Sequence, residues 1–552
     1  MPSPSDPPTD VRTARTPASL GPIANWTHML ALILRRDRVY LPIWIVASAV
    51  FCTVFVVTIP QFAGTAGAME SLSEMMKNPA MIAMCGIAPG PGYTPAVLYT
   101  QLMMVFSAML VAVMNILIVI RHTRTDEDEG RTEVLRALPT GRASLLAAVT
   151  VVMVAANLIM ALIMGFGMAS FAVESVTLAG SLLYGACVAG CGLVFMALTM
   201  VVVQLVHTSH SATAASLVLL GVFYVIRAYG DIDAPAASWI SPFGLAERTL
   251  PFGADRWWPV AILAGIAVVL IVVSFALNSQ RDLGAGLLPQ LGRSRAHAPR
   301  SLSGEWGLAW RLTRSTIIAW AATVFIVSAG YGSVMGEMES FVMSSTLYQQ
   351  IMGVGAGTVD LVGPVVSTLL LIMALIAVIP ILTTAYKLHS EERKGRLDQI
   401  LGLPVKRTRL YGGYAVLILL TAVGIQLLAA LGFWCVALSV MTDPVHASVV
   451  FTVAFNDAAA LVFFGGLGLL LVGWAKNYTW IGWAYLVASF LVVYMGGLVN
   501  IPRWAQRLTP FGLLNRWPTE PFNWWAWAAL VVGGALLTVV GAVGFRRRDI
   551  TA

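Results

Sequence analysis

Long apolar runs separated by short polar segments dominate the chain. A helix needs about 20 apolar residues to cross the hydrocarbon core of a bilayer, and twelve runs approach or exceed that length. The pattern predicts membrane-spanning helices over residues 40–59, 95–120, 143–171, 176–206, 211–229, 258–277, 317–334, 361–386, 410–441, 447–474, 478–499 and 524–545.

The composition supports this pattern and excludes other classes of protein. Of the 552 residues, 58% are hydrophobic and only 11% are charged, whereas a soluble domain has about 25% charged residues. The mean hydropathy is +0.80. A cytosolic enzyme, a secreted disulfide scaffold and a disordered chain are therefore excluded, and the solvent of this protein is the lipid bilayer.

The basic residues predict an orientation. The net charge is +7, but the cations lie in short loops, as in membrane proteins, so we expect no nucleic-acid partner. With the N-terminus in the cytoplasm, cytoplasmic segments hold 27 of the 34 lysines and arginines, as the positive-inside rule requires. We expect a multi-pass protein of the cell membrane with both termini cytoplasmic. Residues 1–22 are expected to be a disordered cytoplasmic tail, and residues 549–552 a C-terminal tail.

The chain contains an internal duplication. The segment after the second apolar run and the segment after the eighth share the pattern S/T-D/E-E-x-x-G-R-x-D/E-x-L/I-x-x-L-P-x-x-R at an offset of 265 residues. Short fragments such as Pro242-Phe243-Gly244 and Pro510-Phe511-Gly512 also repeat in order. We therefore predict two parallel six-helix halves, residues 23–278 and 305–548, joined by a cytoplasmic linker over residues 279–304.

Each repeated segment is charged and has a helical pattern. In the first copy, Glu127, Arg131 and Val134 fall on successive helical turns. The simplest interpretation is a solvated helix with ion pairs between neighbouring turns. Two matched copies at equivalent places favour a second interpretation, in which one kind of partner surface is presented twice.

The repeated pattern, in this topology, resembles the type-2 ABC exporter permeases over about residues 23–548. The fused 12-span form is similar to actinobacterial permeases for tetronasin-like polyketide antibiotics. The resemblance implies an all-α fold of two tandem six-helix, type V-like halves. It also implies amphipathic connecting helices near residues 29–38 and 308–314, and an outer, partly re-entrant element at the Pro-Phe-Gly fragments. In that family the repeated segments are coupling helices that dock on the ATPase, which assigns docking roles to Glu127, Gly130, Arg131, Glu133, Glu392, Gly395, Arg396 and Asp398. We expect Glu127 and Glu392 to be exposed on these helices.

The ATPase itself is expected on another polypeptide. The sequence has no G-x-x-x-x-G-K-S/T motif, and none of its five lysines follows a phosphate-binding glycine run. The chain is therefore expected to be a transport subunit and not an enzyme, with no cofactor or metal of its own. Two copies of a separate ABC ATPase subunit, which binds ATP and magnesium, would complete the transporter.

The substrate is expected to be a small hydrophobic or amphipathic compound, such as an antibiotic or drug. Family analogy places its path between the second and fifth spans of each half, near Met103, Phe106, Met109, Phe223, Tyr224, Tyr485 and Phe490. Flexible thioethers and aromatic rings suit an adaptable apolar pocket, although the same residues also occur facing lipid.

Asp457 lies near the middle of the tenth predicted span, where a carboxylate is a functional candidate by default. It is either a packed group hydrogen-bonded to Asn456 or to a neighbouring helix, or a site that binds a cation or carries a proton. Two alternatives to drug export by an ABC transporter stay open: an ion-coupled secondary transporter, and an ABC exporter of lipid.

Overall fold

A computed structural model describes residues 21–62, 69, 73, 76–77, 79–87, 94–171, 173, 175–282, 284–289, 304–333, 335, 362–402, 405–441, 445–495 and 502–548. Over these residues the regular structure is helical, without strands. Ten helices in the described part of the chain are long and apolar enough to cross a membrane. The chain is therefore an all-α polytopic membrane protein.

The chain divides into two compact units. The first comprises Met1–Gly64 and Met76–Gly292, and the second comprises Thr65–Met75 and Arg293–Ala552. The division at residues 292 and 293 falls inside the segment predicted as a linker. Of the predicted N-terminal tail, residues 1–20 lie outside the described residues. Pro22 already contacts the fold, because its carbonyl oxygen accepts a hydrogen bond from the Ala143 N–H at 2.8 Å.

The helices of the first unit follow the apolar pattern closely. In chain order they are α1 (Trp26–Arg36), α2 (Tyr40–Phe62), α3 (Pro79–Cys85), α4 (Pro95–Ile120), a π-helix (Arg121–Thr125), α5 (Asp126–Asp128), α6 (Arg131–Arg136), α7 (Ser144–Ser170), α8 (Leu178–Leu205), α9 (Ser209–Ile232), α10 (Pro235–Ser238), α11 (Pro242–Glu247) and α12 (Trp258–Gln280).

The second unit has a similar order of long and short helices. They are α13 (Glu305–Ser333), α14 (Val362–Arg393), α15 (Arg396–Leu401), α16 (Arg407–Val440), α17 (Ala447–Trp474), a 3-10 turn (Lys476–Tyr478), α18 (Trp480–Met495), α19 (Arg503–Gln506), α20 (Pro510–Leu513) and α21 (Trp524–Arg547).

Each of the twelve apolar runs corresponds to one long helix. The two runs outside the set of ten spanning helices correspond to α2, of 23 residues, and α18, of 16 residues. The count of twelve spans therefore stays a prediction.

The expected pair of connecting helices is found in one unit only. The first is α1, which buries Met29 and Ile33 and is followed by its C-cap residue, Asp37. The second expectation, for residues 308–314, is wrong, because these residues belong to the continuous 29-residue helix α13. No glycine or proline interrupts the sequence between residues 308 and 329. Thr313, which corresponds in the repeat to Asp37 at the end of α1, is buried within α13.

One central helix organises each unit. In the first unit α8 packs against α4, α7 and α12, and in the second α17 packs against α14, α16 and α21. Small residues allow the backbones of such helices to approach closely. At Gly466 in α17, an added Cβ would lie only 2.2 Å from the carbonyl oxygen of Gly534 in α21.

The repeated Pro-Phe-Gly fragments form short buried helices beside the central helices. Phe243 in α11 packs on Phe195 of α8, with ring centroids 5.3 Å apart, and Phe511 in α20 packs on Phe464 of α17 at 6.0 Å. Both phenylalanines are buried. The duplication seen in the sequence is thus also a repeated contact between matching elements.

Candidate functional site

The two copies of the repeated motif form loops with the same backbone break. We call residues 121–142 the first repeated loop and residues 386–407 the second repeated loop. Gly130 has a φ of 73° and Gly395 a φ of 65°, a left-handed conformation that glycine adopts without steric cost. The Gly130 N–H donates to the carbonyl oxygen of Glu127 at 3.1 Å, and Gly395 donates to that of Glu392 at 2.9 Å. The interpretation as one continuous helix through Glu127, Arg131 and Val134 is therefore wrong.

Glu127 turns inward from the first repeated loop. Its Oε2 accepts a hydrogen bond from Arg124 at 2.9 Å, and its Oε1 accepts one from Arg281 and one from the Gly284 N–H at 2.7 Å. Only 8% of the side chain is exposed. The expectation that Glu127 is an exposed docking residue is wrong, because two arginines and a backbone amide satisfy its charge inside the protein.

Glu392 is held in the same way in the second repeated loop. It accepts hydrogen bonds from Arg548 at 2.5 Å and from Lys476 at 3.2 Å, and only 2% of its side chain is exposed. Its expected exposure is therefore wrong for the same reason. Each motif glutamate pairs with the residue that ends the last long helix of its unit, since Arg281 is the C-cap of α12 and Arg548 that of α21.

The arginine that closes each motif contacts that same C-cap residue. Arg407 donates to the carbonyl oxygen of Arg548 at 2.9 Å, and Arg142 donates to the carbonyl oxygen of Arg281. Basic side chains satisfy the unpaired carbonyls at helix C-termini in this way. Both ends of each repeated loop are therefore attached to one helix end.

A second repeated ion pair spans the glycine. Arg131 binds Asp126 at 2.8 Å, and Arg396 lies 3.5 Å from Glu391. Both acidic side chains are nearly buried, whereas the two arginines are about half exposed. These arginines therefore lie at the surface, where ion pairs with buried carboxylates fix their positions.

The exposed residues of the two loops carry opposite charge. In the first repeated loop they include Asp128, Glu129, Arg131, Glu133 and Val134, the last with 70% exposure. In the second repeated loop they include Arg393, Lys394, Arg396 and Gln399. Asp398 lies in α15, but its side chain is outside the described part of the structure. The two loops therefore have a similar backbone conformation, but the first presents an acidic surface and the second a basic one.

A small cavity lies under the first repeated loop. Its volume is about 60 Å³, and its lining includes Glu127, Thr132, Arg142, Gln204 and Arg281. This space exceeds what one water molecule needs, about 10–15 Å³. The Thr132 hydroxyl is buried and has no hydrogen-bond partner among the described residues, which makes the cavity a suitable place for ordered water.

The first repeated loop is also fixed to the end of α1. Asp37, which follows α1, lies 2.5 Å from His122 and 3.4 Å from Arg121. Burial raises the pKa of the Asp37 carboxyl, but the His122 hydrogen bond and the neighbouring positive charges outweigh this effect and leave the pKa below its usual range. Asp37 is thus held as a carboxylate that orients the start of the loop.

The residues proposed for a substrate path do not form one described cavity. Met103 and Met109 on α4 are partly buried, and Phe106 is 39% exposed. On α9, Phe223 packs at 6.1 Å from Phe195, and Tyr224 donates to the carbonyl oxygen of Met84 at 3.4 Å.

The corresponding residues of the second unit are similarly spread. On α18, Tyr485 donates to the carbonyl oxygen of Leu508 at 2.7 Å, whereas Phe490 is 40% exposed. Their assignment to a substrate path stays a prediction in both units.

A buried charge cluster in the first unit escaped the sequence analysis. Arg227 of α9 is fully buried, 3.3 Å from Glu247 and 3.6 Å from Asp231, and Arg248 lies 3.9 Å from Asp231. Neither carboxylate accepts a hydrogen bond within the described ranges. The sequence offered two signals, Arg227 inside an apolar run and Asp231 four residues later on the same helix, whereas Glu247 and Arg248 come from a separate segment.

Asp457 is buried in α17, with 5% of the residue exposed. Its Oδ2 accepts no hydrogen bond from the described part of the chain. The expected bond to Asn456 is absent there, because the Asn456 amide donates to the carbonyl oxygen of Asn515 at 3.1 Å. Instead, the positive charge of Arg516 interacts electrostatically with the Asp457 carboxyl.

Comparison with known proteins agrees with this architecture. The family model described as "Multidrug efflux system permease Rv1217c, C-terminal domain" matches residues 27–277 and 302–546. These two stretches correspond closely to the two predicted halves. The chain is also 27% identical over 530 residues to the multidrug efflux system permease protein Rv1217c of Mycobacterium tuberculosis, covering 95% of this chain and 94% of the relative. With a family match over most of its length, the chain belongs to the Rv1217c family of multidrug efflux system permeases.

Proposed function

We propose that this chain is the membrane subunit of an ATP-driven ABC exporter with twelve spans and both termini in the cytoplasm. The observation that carries the proposal is the pair of repeated loops, each presenting a short charged helix after a left-handed glycine. Two equivalent helices of this kind suit two copies of a separate ATPase subunit, which would bind ATP and magnesium. The fused form also resembles the tetronasin-type permeases.

The docking surface that we propose differs from the one expected from the motif alone. It comprises the exposed residues Glu129, Arg131 and Glu133 in the first repeated loop, and Arg393, Lys394 and Arg396 in the second. Glu127 and Glu392 support these surfaces from inside. Because the two surfaces differ in charge, we expect two identical ATPase copies to bind them with unequal strength and unequal salt dependence.

The proposed substrates are hydrophobic or amphipathic drugs. The Mycobacterium tuberculosis relative is named as a multidrug efflux system permease. The apolar, methionine-rich sequence of α4 is compatible with such compounds. Export of lipid by the same mechanism is a competing outcome of the test below.

The test combines hydrolysis with transport. The chain should be reconstituted alone and with a candidate ATPase subunit, and phosphate release should be measured beside efflux of apolar dyes, antibiotics and labelled lipids. We expect ATP-dependent efflux only with both subunits, and none with an ATPase variant that binds ATP without hydrolysing it. Hydrolysis by the purified chain alone would contradict the proposal.

The buried carboxylates favour one second candidate, an ion-coupled secondary transporter. Asp231, Glu247 and Asp457 are acidic groups inside a membrane protein, where such residues commonly mark ion or proton pathways. This candidate predicts efflux without ATP that stops when an ionophore dissipates the ion gradient. The same vesicles, assayed with ionophore and without ATP, distinguish the two mechanisms.

A further inference from the structure

We infer that Glu127 and Glu392 are positioning residues that latch each repeated loop to the last long helix of its own unit. The inference rests on the proposed function, because it concerns how docking of an ATPase is transmitted to the membrane helices. We call the pairs Glu127–Arg281 and Glu392–Arg548 the latches.

Each latch attaches the docking helix on both sides. The motif glutamate lies before the left-handed glycine and binds the side chain of the C-cap arginine. The arginine that closes each motif, Arg142 or Arg407, lies after the short charged helix that we propose as the docking helix. It binds the carbonyl oxygen of that same C-cap residue. The short helices α6 and α15 lie between these two attachments. A displacement of either docking helix is therefore transferred directly to the end of α12 or α21.

The first latch also connects to the central helix of its unit. Arg124, which binds Glu127, donates to the carbonyl oxygen of Val203 at 2.9 Å and to that of Val206, at the end of α8. Arg281 itself donates to Gln204 at 2.9 Å. Glu127 thus joins the loop to the ends of two long helices.

The second latch reaches the central helix with a different residue. Lys476, which binds Glu392 at 3.2 Å, follows Ala475, the C-cap residue of α17. Its position in the sequence does not correspond to that of Arg124, where the second repeat has His389. The same arrangement of one acid between two helix ends is therefore built with different cations, which indicates that the arrangement itself has a role.

The physical basis is the cost of leaving a buried charge unpaired. The latch glutamates are 8% and 2% exposed, so removing one partner leaves the other charge with little water to replace it. The latch therefore resists separation of the loop from the helix ends. Packed interiors also transmit displacement, because they are barely compressible.

The test separates docking from transmission in the complex of the full chain and its ATPase. Glu392→Gln and Arg548→Gln each remove the charge from one side of the latch; the first keeps the size of the side chain, and the second also shortens it. We expect unchanged ATPase binding and hydrolysis, and a fall of about tenfold in compound exported per ATP hydrolysed, which corresponds to one charged hydrogen bond. The double variant should be no worse than either single variant. Arg547→Gln, on an exposed arginine next to Arg548, is the matched control and should retain wild-type coupling.

Three outcomes would overturn the inference or its basis. Wild-type export per ATP in both single variants would show that the latch transmits nothing. Loss of bound ATPase in proportion to lost export would show that Glu392 only shapes the docking surface. Failure of the wild-type chain to bind any ATPase would instead contradict the proposed function. If the Glu392 variant does not fold, Glu127→Gln decides the same question, since Gly284 still donates a hydrogen bond to that position.

Discussion

Arg407 donates a hydrogen bond of 2.9 Å to the carbonyl oxygen of Arg548, so the last residue of the second motif caps the last helix of the second unit. The equivalent Arg142 does the same for Arg281 in the first unit. The final arginine of the pattern thus has a structural role that can be tested apart from transport.

Arg407→Gln should lower the free energy of unfolding by about 1 kcal/mol, because it removes a charged donor from a helix C-terminus. Thermal unfolding of the detergent-purified chain, followed by tryptophan fluorescence, is a suitable measurement. Arg409→Gln changes an exposed arginine that lies, like Arg407, in the first turn of α16. This control should change the unfolding midpoint little. Equal midpoints for Arg407→Gln and the control would reject the capping role.

Gly130→Ala and Gly395→Ala should each destabilise the chain by about 1 kcal/mol or more, because alanine is strained at positive φ. No atom lies within 4 Å of the added Cβ at either position, so the cost comes from the backbone alone. Gly265→Ala is the matched control, because it lies in α12 with open space around it. That change should be neutral or stabilising. A neutral result at Gly130 and Gly395 would mean that the loops accept another conformation.

The long helices were predictable because lipid imposes a length and a hydrophobicity on each of them. The motif itself was found from the sequence, but the inward orientation of the Glu127 and Glu392 side chains was not. Their partners Arg281, Arg548 and Lys476 lie 84 to 156 residues away. No periodicity within the loop contains that information. A charged residue in a short loop is usually solvated, and here the helix ends of the unit bury it.

The same limit explains why the Arg227 cluster was missed and why residues 308–314 were assigned incorrectly. Asp231 lies one helical turn after Arg227 in α9, but only the packing of α9 against α11 brings Glu247 and Arg248 to them. The family resemblance suggested a separate helix over residues 308–314, before the seventh predicted span, whereas the local sequence contains no glycine or proline that would end one there.

Asn115 and Asn157 connect two long helices of the first unit. The two amides exchange hydrogen bonds of 3.0 and 2.8 Å between α4 and α7, and both side chains are buried. Asn115→Leu and Asn157→Leu should each destabilise the chain, and the double variant should recover part of the loss. The coupling energy from a double-mutant cycle should be about 0.6–1.7 kcal/mol. Strictly additive losses would show that the two amides do not support each other.

Glu247 should make the stability of the chain depend on pH. Burial raises the pKa of its carboxyl well above the ordinary value of 4.5, although the Arg227 charge at 3.3 Å acts in the opposite direction. The other ionisable groups near this carboxyl are Asp231, Arg248, Cys85, Cys191 and Tyr224. The folded chain therefore holds a proton that the unfolded chain releases. As the pH rises from the ordinary pKa towards the raised one, the free energy of unfolding falls, and above that window it is level.

Glu247→Gln keeps the shape of the neutral acid and should remove this dependence. We expect the wild-type unfolding midpoint to decrease as the pH rises above the ordinary pKa of 4.5, and that of the variant to decrease less over the same range. At the alkaline end the variant should be the more stable of the two, because it no longer carries a second buried negative charge beside Asp231. A variant with the wild-type slope, or one that is less stable at every pH, would show that Glu247 is ionised in the folded chain and that its pairing with Arg227 outweighs the cost of burial.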